Sequence, residues 1–165
     1  TSKDSNYESI RYEGFGPKRI AVIVETLTNN KNRSASNLRT IFQKNGGNLG
    51  TQGSAIHYFQ QTGIIKIEKN YEDEDKIYEY VIDSGADDFI KSNDYYEIRC
   101  DKNKIYKVKK KLEENIDNFV STEIEWLPVS KRDIDKNKKE DVIKFLEALE
   151  DDEDVQNIFT NLNFI

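Results

Sequence analysis

The chain has 165 residues, enough for one domain or for two small ones that each bury a hydrophobic core. Charged residues make up 34% of it and the net charge is −6, which excludes a nucleic-acid footprint spread over the whole surface. Its apolar runs fall short of the roughly 20 residues that a membrane span requires, and no signal-peptide pattern opens the chain. We therefore expect a protein with no membrane contact.

The first predicted unit begins with a turn and a buried strand. A Gly-Pro turn at 13–17 leads into a strand at 19–27 whose centre is continuously apolar. Asn32 or Ser34 can cap the helix that follows, and Gly46 stands where a left-handed residue would end it. The apolar stripe of this helix consists of Ala35, Leu38, Ile41 and Phe42.

The remaining segments complete this unit and form another. Segments 54–59 and 64–68 are predicted to form a hairpin about residues 61–63, and a second unit is predicted to begin at Glu72. Beyond it we predict, in order, a helix ending at Ser84 and Gly85, strands at 88–91 and 95–100, a helix at 105–116 and a strand at 122–127. A helix carrying Val142, Phe145, Leu146 and Leu149 and a strand at 155–160 close the chain.

The order of these elements predicts a two-domain α+β fold. The first unit lacks a second helix and a fourth strand, and the C-terminal segment supplies both. We therefore predict a discontinuous domain formed by 7–69 and 129–165, with a second domain at 70–128 inserted into it. Each is expected to be a small ferredoxin-like domain of split βαβ topology, with helices packed on one face of an antiparallel sheet.

The side chains available for catalysis or metal binding are few. The single histidine, His57, lies by alternation on one face of a predicted strand, and the single cysteine, Cys100, is interpreted as an inert strand residue. A disulfide framework, a zinc cluster and a serine–histidine triad therefore lack support. We expect no enzymatic activity, no metal and no cofactor.

Charge is segregated along the chain. Acidic residues are concentrated at 72–75 and 150–154, and basic residues at 102–111 and 131–139. A chain of this kind can present one basic face to RNA even though its net charge is negative. The lysines of 102–111 fall on the exposed side of a predicted helix, where they form either a solvated face or an RNA contact.

Half of the eight glycines lie in one connection, from Gly46 to Gly53. Neither this connection nor the Gly14-x-Gly16 pair completes a Walker A loop or a dinucleotide-binding fingerprint. Two interpretations stay open. The glycines form tight turns that support strand pairing, or their bare amides and the nearby cations bind phosphates.

Separated blocks of the sequence, in the same order and spread over nearly the whole chain, resemble the YebC/PmpR family. The matching stretches are Arg11–Pro17, Asn30–Ala35, Gly46–Gly50 with Gly53–Ser54, Asp83–Asp88, Leu146–Asp152 and Asp154–Asn157. That family includes bacterial regulators and mitochondrial translational activators, and the resemblance also implies that the two ends of the chain share a domain. Family members begin with a basic helical domain, and nothing like it precedes Thr1 here. Because methionine is absent altogether, including at position one, we expect a trimmed, processed or truncated chain.

The resemblance favours a non-enzymatic regulator of gene expression that binds RNA and the ribosome. A DNA-binding transcriptional regulator and a small-molecule or protein-interaction sensor are the alternatives. The expected compartment is a bacterial-type cytoplasm, or else a mitochondrial matrix, and the oligomeric state is left open. Glutamate at positions 31 and 33 is expected to abolish ribosome binding without disturbing the fold. The residues predicted to contact nucleic acid are Arg11, Lys18, Arg19, Lys31, Asn32 and Arg33, supported by Gly46, Gly47, Asn48, Gly50 and Gly53.

Overall fold

The computed structural model describes residues 6–69 and 73–165, and the predicted start of the second unit at Glu72 lies outside them. Within the described residues the chain has four helices and two antiparallel four-stranded sheets, which confirms the predicted α+β class. The helices are α1 (Lys31–Lys44), α2 (Glu74–Asp83), α3 (Ile105–Leu112) and α4 (Glu140–Glu150). The strands are β1 (Glu8–Phe15), β2 (Ala21–Thr28), β3 (Asn48–Leu49), β4 (Phe59–Glu68), β5 (Asp88–Lys91), β6 (Tyr95–Asp101), β7 (Phe119–Pro128), β8 (Arg132–Ile134), β9 (Val155–Thr160) and β10 (Leu162–Phe164).

The chain divides into two compact units. The described residues up to Gln60 form the first unit together with Leu127–Ile165, and Gln61–Trp126 form the second. The C-terminal segment returns to the first unit, since β9 pairs antiparallel with β2. The domain boundaries given above for the two predicted domains stay a prediction.

The first sheet has the strand order β3-β1-β2-β9. β1 pairs antiparallel with β2 along its whole length and with β3 at one end. Because β1 lies between β2 and β3, which α1 connects, these elements form a split βαβ unit. A separate pair, β8 and β10, runs parallel.

Helices α1 and α4 contribute apolar side chains to one core with β2. Val22 and Val24 of β2 are fully buried there, together with Leu38 of α1. The rings of Phe42 and Phe145 meet edge to face with centroids 5.0 Å apart. Burial of each such side chain stabilises the fold by about 1.5–3 kcal/mol. Of the predicted stripe on α1, Leu38 and Phe42 are fully buried, while Ala35 and Ile41 are half-buried.

Both ends of α1 have capping groups supplied by the local sequence. Asn30, rather than the predicted Asn32 or Ser34, caps the start, and its side chain accepts the Arg33 amide hydrogen at 3.1 Å. At the other end Gly46 has φ of +80°, as predicted. The amides of Gly46 and Gly47 then donate back to the carbonyls of Gln43 and Phe42, which completes a Schellman motif.

The second unit has the sheet order β5-β6-β4-β7 and two split βαβ units. The hairpin of β5 and β6 and the helix α2 are placed as predicted, whereas α3 ends at Leu112, four residues before the predicted end at 116. Gly85, which follows α2, has φ of +87°. The predicted apolar stripe is buried, since Ile105, Val108 and Leu112 of α3 and Ile116 beyond its end are each at most 2% exposed.

Three further local predictions are wrong. Residues 54–59 and 64–68 do not form a hairpin, because Phe59–Glu68 is one strand that pairs with β6. Gly63 stands in its middle because a Cβ there would meet the Cys100 sulfur at 2.8 Å, so glycine permits close packing. His57 lies in a 3₁₀ turn rather than a strand, and the predicted turn at 13–17 begins only after β1.

Candidate nucleic-acid interface

The turn between β1 and β2 has an uncommon backbone conformation. Lys18 and Arg19 have φ of 58° and 64°, which is the left-handed region that residues with a Cβ adopt at a cost of about 1–2 kcal/mol each. The Gly16 amide closes the turn by donating to the Ile20 carbonyl at 2.8 Å. From the distant segment after β7, Arg132 donates its Nε hydrogen to the Lys18 carbonyl at 3.1 Å. Hydrogen bonds therefore hold the turn from both sides, and in this conformation the Arg19 side chain is exposed.

Arg19 opens onto a pocket of about 510 Å³ in the first unit, which we call the basic pocket. Two further cations, Lys131 and Arg132, line the same pocket although they are more than 100 positions away in the sequence. Its complete lining is Phe15, Arg19, Tyr58, Ser130, Lys131, Arg132 and Asn161. None of these is acidic, so the pocket favours an anion.

Two aromatic rings form part of the pocket wall. Phe15 and Tyr58 are half-buried, and their rings meet edge to face with centroids 5.9 Å apart. The exposed His57 ring lies against Tyr58 at 4.4 Å, tilted by 36°. An aromatic surface beside cations is the chemistry that binds nucleotides, since the rings stack on bases and the cations contact phosphates.

Asn161 fixes the segment that supplies Lys131 and Arg132. Its side-chain amide is buried, accepts the Ala21 amide hydrogen at 2.8 Å and donates to the Ser130 carbonyl at 2.9 Å. Its own carbonyl accepts the Arg132 amide hydrogen at 2.7 Å. The two cations are therefore held against the β1–β2 turn by a hydrogen-bonded backbone.

The first turn of α1 carries three of the predicted contact residues. Lys31 and Asn32 are exposed. Arg33 is engaged with Asp154, the buried residue before β9, whose two carboxylate oxygens lie 3.0 and 3.1 Å from its Nη2. Thr28 and Ser34 also donate their hydroxyls to Asp154.

Three donor residues determine the charge state of Asp154. Burial raises the pKa of its carboxyl, but hydrogen bonds from Ser34, Arg33 and Thr28 and the positive charge of Arg33 outweigh that effect and lower it. Asp154 therefore stays ionised and fastens the start of α1 to the start of β9. Of the three predicted contact residues here, Arg33 forms a salt bridge with Asp154, whereas Lys31 and Asn32 are exposed to solvent.

The predicted glycine-rich connection wraps a buried carboxylate. Glu13 is 1% exposed and accepts the amide hydrogens of Gly53, Ala55 and Ile56 at 2.8–3.0 Å. Burial raises the pKa of Glu13, but the hydrogen bonds from the three amides and the positive charge of Arg11 outweigh that effect. The pKa of Glu13 is therefore below its ordinary value. The Gly50 amide donates to the Glu13 carbonyl at 2.8 Å.

All four predicted glycine amides are thus donors to partners within the chain. Gly47 also lies so close to the backbone of Phe15 that a Cβ would overlap its carbonyl oxygen. These contacts favour the interpretation in which the glycines shape the loop. Their part in binding nucleic acid, like that of the exposed Asn48, stays a prediction.

Arg11 lies on β1 away from the basic pocket. Its side chain is 34% exposed and its Nε lies 3.5 Å from Glu13 Oε2. It borders a different hollow of about 450 Å³ that also includes Glu25. Arg11 is therefore surrounded by carboxylates on two sides, which weakens its attraction for phosphate.

The lysine run of the second unit lies on the exposed face of α3, as predicted. Lys107, Lys110 and Lys111 border a hollow of about 530 Å³ together with Asp83 and Glu114. Lys111 forms an ion pair with Glu114 at 3.0 Å. Acidic neighbours reduce the positive potential here, in contrast to the lining of the basic pocket.

The structure thus brings together a set of residues that sequence reasoning predicted only in part. Arg19 was predicted, whereas Tyr58, Lys131 and Arg132 were not. The one available signal was the basic block at 131–139, which the sequence could not connect to the β1–β2 turn.

Within the residues that the structure describes, no group of three His, Cys, Asp or Glu side chains is placed to hold a metal ion. Of the helices in these residues, none has the length and apolar character to cross a membrane.

The architecture defines a two-unit α+β protein whose antiparallel sheets are built from split βαβ units, with a basic pocket on the discontinuous unit. The chain belongs to the TACO1/YebC family. The family model described as the TACO1/YebC second and third domain matches residues 7–162, which confirms the resemblance noted in the sequence.

Several relatives show the extent of the match. A probable transcriptional regulatory protein of Pelagibacter ubique is 57% identical over 99% of this chain and 68% of its own length. Proteins of the same description from Zymomonas mobilis and Clostridium beijerinckii are each 41% identical, over 94% and 96% of this chain and 63% and 65% of their own lengths. The crystal structure of a conserved hypothetical protein of Aquifex aeolicus superposes with a TM-score of 0.87 at 33% identity, covering 97% of this chain and 66% of that one. The chain therefore spans about two thirds of the length of these relatives.

Proposed function

We propose that this chain is a non-enzymatic regulator of gene expression that binds nucleic acid through the basic pocket, with RNA of the ribosome as its preferred partner. The observation that carries the proposal is the convergence of Arg19, Lys131 and Arg132 on one pocket whose lining contains no carboxylate. A net charge of −6 makes such convergence necessary, because phosphate binding requires a local excess of cations.

The cations of the pocket differ in their freedom. Arg132 donates to the Lys18 carbonyl and holds the turn in place. Arg19 and Lys131 are exposed, and in the part of the chain that the structure describes their side chains take part in no hydrogen bond or ion pair. These two side chains can therefore bind phosphates without breaking an internal contact.

A DNA-binding regulator is the second candidate, since relatives are named as probable transcriptional regulatory proteins. Duplex DNA is read by a helix or a β-ribbon that enters the major groove. The basic pocket is concave and formed by turns, which suits an RNA loop better than a duplex. The bacterial relatives favour a bacterial-type cytoplasm as the compartment, with the mitochondrial matrix as the alternative.

Co-sedimentation with purified ribosomes, run beside duplex-DNA binding as salt rises, tests this proposal. We expect ribosome binding to persist at salt concentrations that abolish DNA binding. The double variant Arg19→Glu/Lys131→Glu is expected to weaken ribosome binding at least about tenfold, because each lost cation forgoes a phosphate contact. The variant Lys107→Glu/Lys110→Glu makes the same change in charge on α3 and serves as the matched control.

Two results would contradict the proposal. Equal weakening by the two double variants would mean that net charge, and not the basic pocket, determines binding. Tighter binding to duplex DNA than to ribosomes at every salt concentration would favour the DNA-binding regulator.

A further inference from the structure

Phosphate binding alone does not explain why aromatic residues line the basic pocket. Tyr58 and Phe15 line a cavity of about 510 Å³, and their rings meet edge to face. Sites of about 300–1,000 Å³ accept ligands as large as a nucleotide. Phosphates bind to cations on an open surface without any need for such a cavity or for rings.

We propose that the basic pocket holds one unpaired base of a single-stranded nucleic acid, with the base stacked on Tyr58 and its flanking phosphates at Arg19 and Lys131. The inference rests on the proposed function and adds that the nucleic acid is bound as a single strand with an unpaired base. A base inside a duplex is stacked between its neighbours and cannot enter a concave pocket, whereas an unpaired base is free to do so.

Hydrogen bonds fix the backbone at Tyr58, and its ring packs against the rings of Phe15 and His57. Its backbone carbonyl accepts the Val129 amide hydrogen at 2.9 Å, which joins the 3₁₀ turn of Ile56–Tyr58 to the segment that carries Lys131. The Ile56 amide is in turn bound by the buried Glu13 carboxylate at 2.8 Å. The backbone of Tyr58 is therefore positioned before the ligand arrives, which reduces the conformational entropy lost on binding.

The backbone strain lies at the same pocket. Left-handed residues that are not glycine persist where the surrounding structure holds them, and they cluster at ligand sites. Here Lys18 and Arg19 are two such residues in succession, and the Arg132 side chain holds them. The strained turn places the Arg19 cation at the rim of the cavity whose wall Tyr58 forms.

Fluorescence of an oligonucleotide that carries 2-aminopurine at one position tests the inference, because stacking on an aromatic ring quenches this base. Single-stranded RNA, single-stranded DNA of the same sequence and the corresponding duplexes are titrated with the chain. We expect quenching by the wild type and by Tyr58→Phe. Tyr58→Leu should remove the quenching and weaken single-strand binding by about 5- to 150-fold, the range for loss of one stacked base.

The two single strands distinguish the sources of the base. Preference for RNA would indicate contact with the 2′-hydroxyl, and equal binding would indicate that only the base and phosphates are contacted. Both results support the inference, provided that the duplexes bind more weakly than the single strands.

The inference and the proposed function can fail separately. Binding of single strands and duplexes with equal affinity, or quenching that Tyr58→Leu leaves unchanged, would overturn only the inference. Absence of binding to every nucleic acid tested would overturn the proposed function and the inference with it. Thermal unfolding of Tyr58→Leu and Tyr58→Phe shows whether both variants fold.

Discussion

The Arg33 Nη2 atom donates to both carboxylate oxygens of Asp154, at 3.0 and 3.1 Å, although the two residues are 121 positions apart in the chain. This bond ties the first turn of α1 to the residue that precedes β9. A cation predicted to contact phosphate is therefore also part of what holds the discontinuous unit together.

Reversal of charge at the first turn of α1 should have two different effects. In Arg33→Glu a new carboxylate faces the buried Asp154, so we expect the free energy of unfolding to fall by about 1–3 kcal/mol. In Lys31→Glu an exposed side chain at the start of a helix is changed, and we expect the free energy of unfolding to change by no more than about 0.5 kcal/mol. Urea unfolding measures both.

Because the two substitutions differ in their effect on stability, the ribosome contact predicted at Lys31 and Arg33 has to be tested one residue at a time. A double variant would combine lost binding with lost stability, so Lys31→Glu alone is the informative change. Equal stability of the two single variants would show that the bond between Arg33 and Asp154 contributes little.

Stability should fall as the pH becomes acidic, because the pKa of both Glu13 and Asp154 is lowered in the folded chain. The unfolded chain then takes up protons at a higher pH than the folded chain does. The stabilisation is fully present above the unfolded pKa values of about 4 and is lost as the pH falls through the folded values. Urea unfolding between about pH 7 and pH 3 measures the effect.

Glu13→Gln separates the contribution of Glu13 from that of Asp154. A glutamine amide cannot accept from all three backbone donors, so we expect a loss of about 1–3 kcal/mol at neutral pH and a shallower decline in acid. Curves that run parallel for the wild type and the variant would show that Glu13 is not the titrating group.

The β1–β2 turn should become more stable when its strain is removed. Glycine adopts positive φ without a Cβ penalty, so Lys18→Gly is expected to raise the free energy of unfolding by about 0.5–1 kcal/mol. The same change at Lys144, which is exposed on α4, should lower it by about 1 kcal/mol. Thermal or urea unfolding compares them, and similar losses at both positions would contradict a left-handed Lys18.

The lysines of α3 are expected to form a solvated face. Asp83 and Glu114 border the same hollow as Lys107 and Lys110, so the local potential is close to balanced. We expect Lys107→Gln/Lys110→Gln to leave affinity for single-stranded RNA within about twofold at physiological salt, where screening acts beyond about 8 Å. A clear loss of affinity in an anisotropy titration would place a second RNA contact on this helix.

The helices were predictable because their signals are local. Apolar residues at helical spacing gave the buried faces of α1, α3 and α4, and glycines at positive φ gave the ends of α1 and α2. The strand β1 was missed because its residues alternate weakly, and Gly14 and Gly16 suggested a turn. Gly63 misled in the same way, since it serves close packing inside β4 rather than a turn.

The basic pocket could be predicted only in part because it is assembled from distant segments. Arg19 comes from the β1–β2 turn, Tyr58 from a 3₁₀ turn and Lys131 from the segment after β7. The sequence alone gives no register for these segments. In the same way, only the fold shows that Glu13 and Asp154 are both buried and hydrogen-bonded.

The proposed contacts of Arg19 and Lys131 with phosphates determine how strongly binding depends on salt. The affinity of a single-stranded RNA is measured by fluorescence anisotropy over a salt series for the wild type and for Arg19→Gln/Lys131→Gln. Each phosphate contact with a single strand contributes about 0.7 to the slope of log K against log salt, so the variant should show a slope shallower by about 1.4. An unchanged slope and affinity would contradict the proposed contacts and place the nucleic-acid contact elsewhere on the chain.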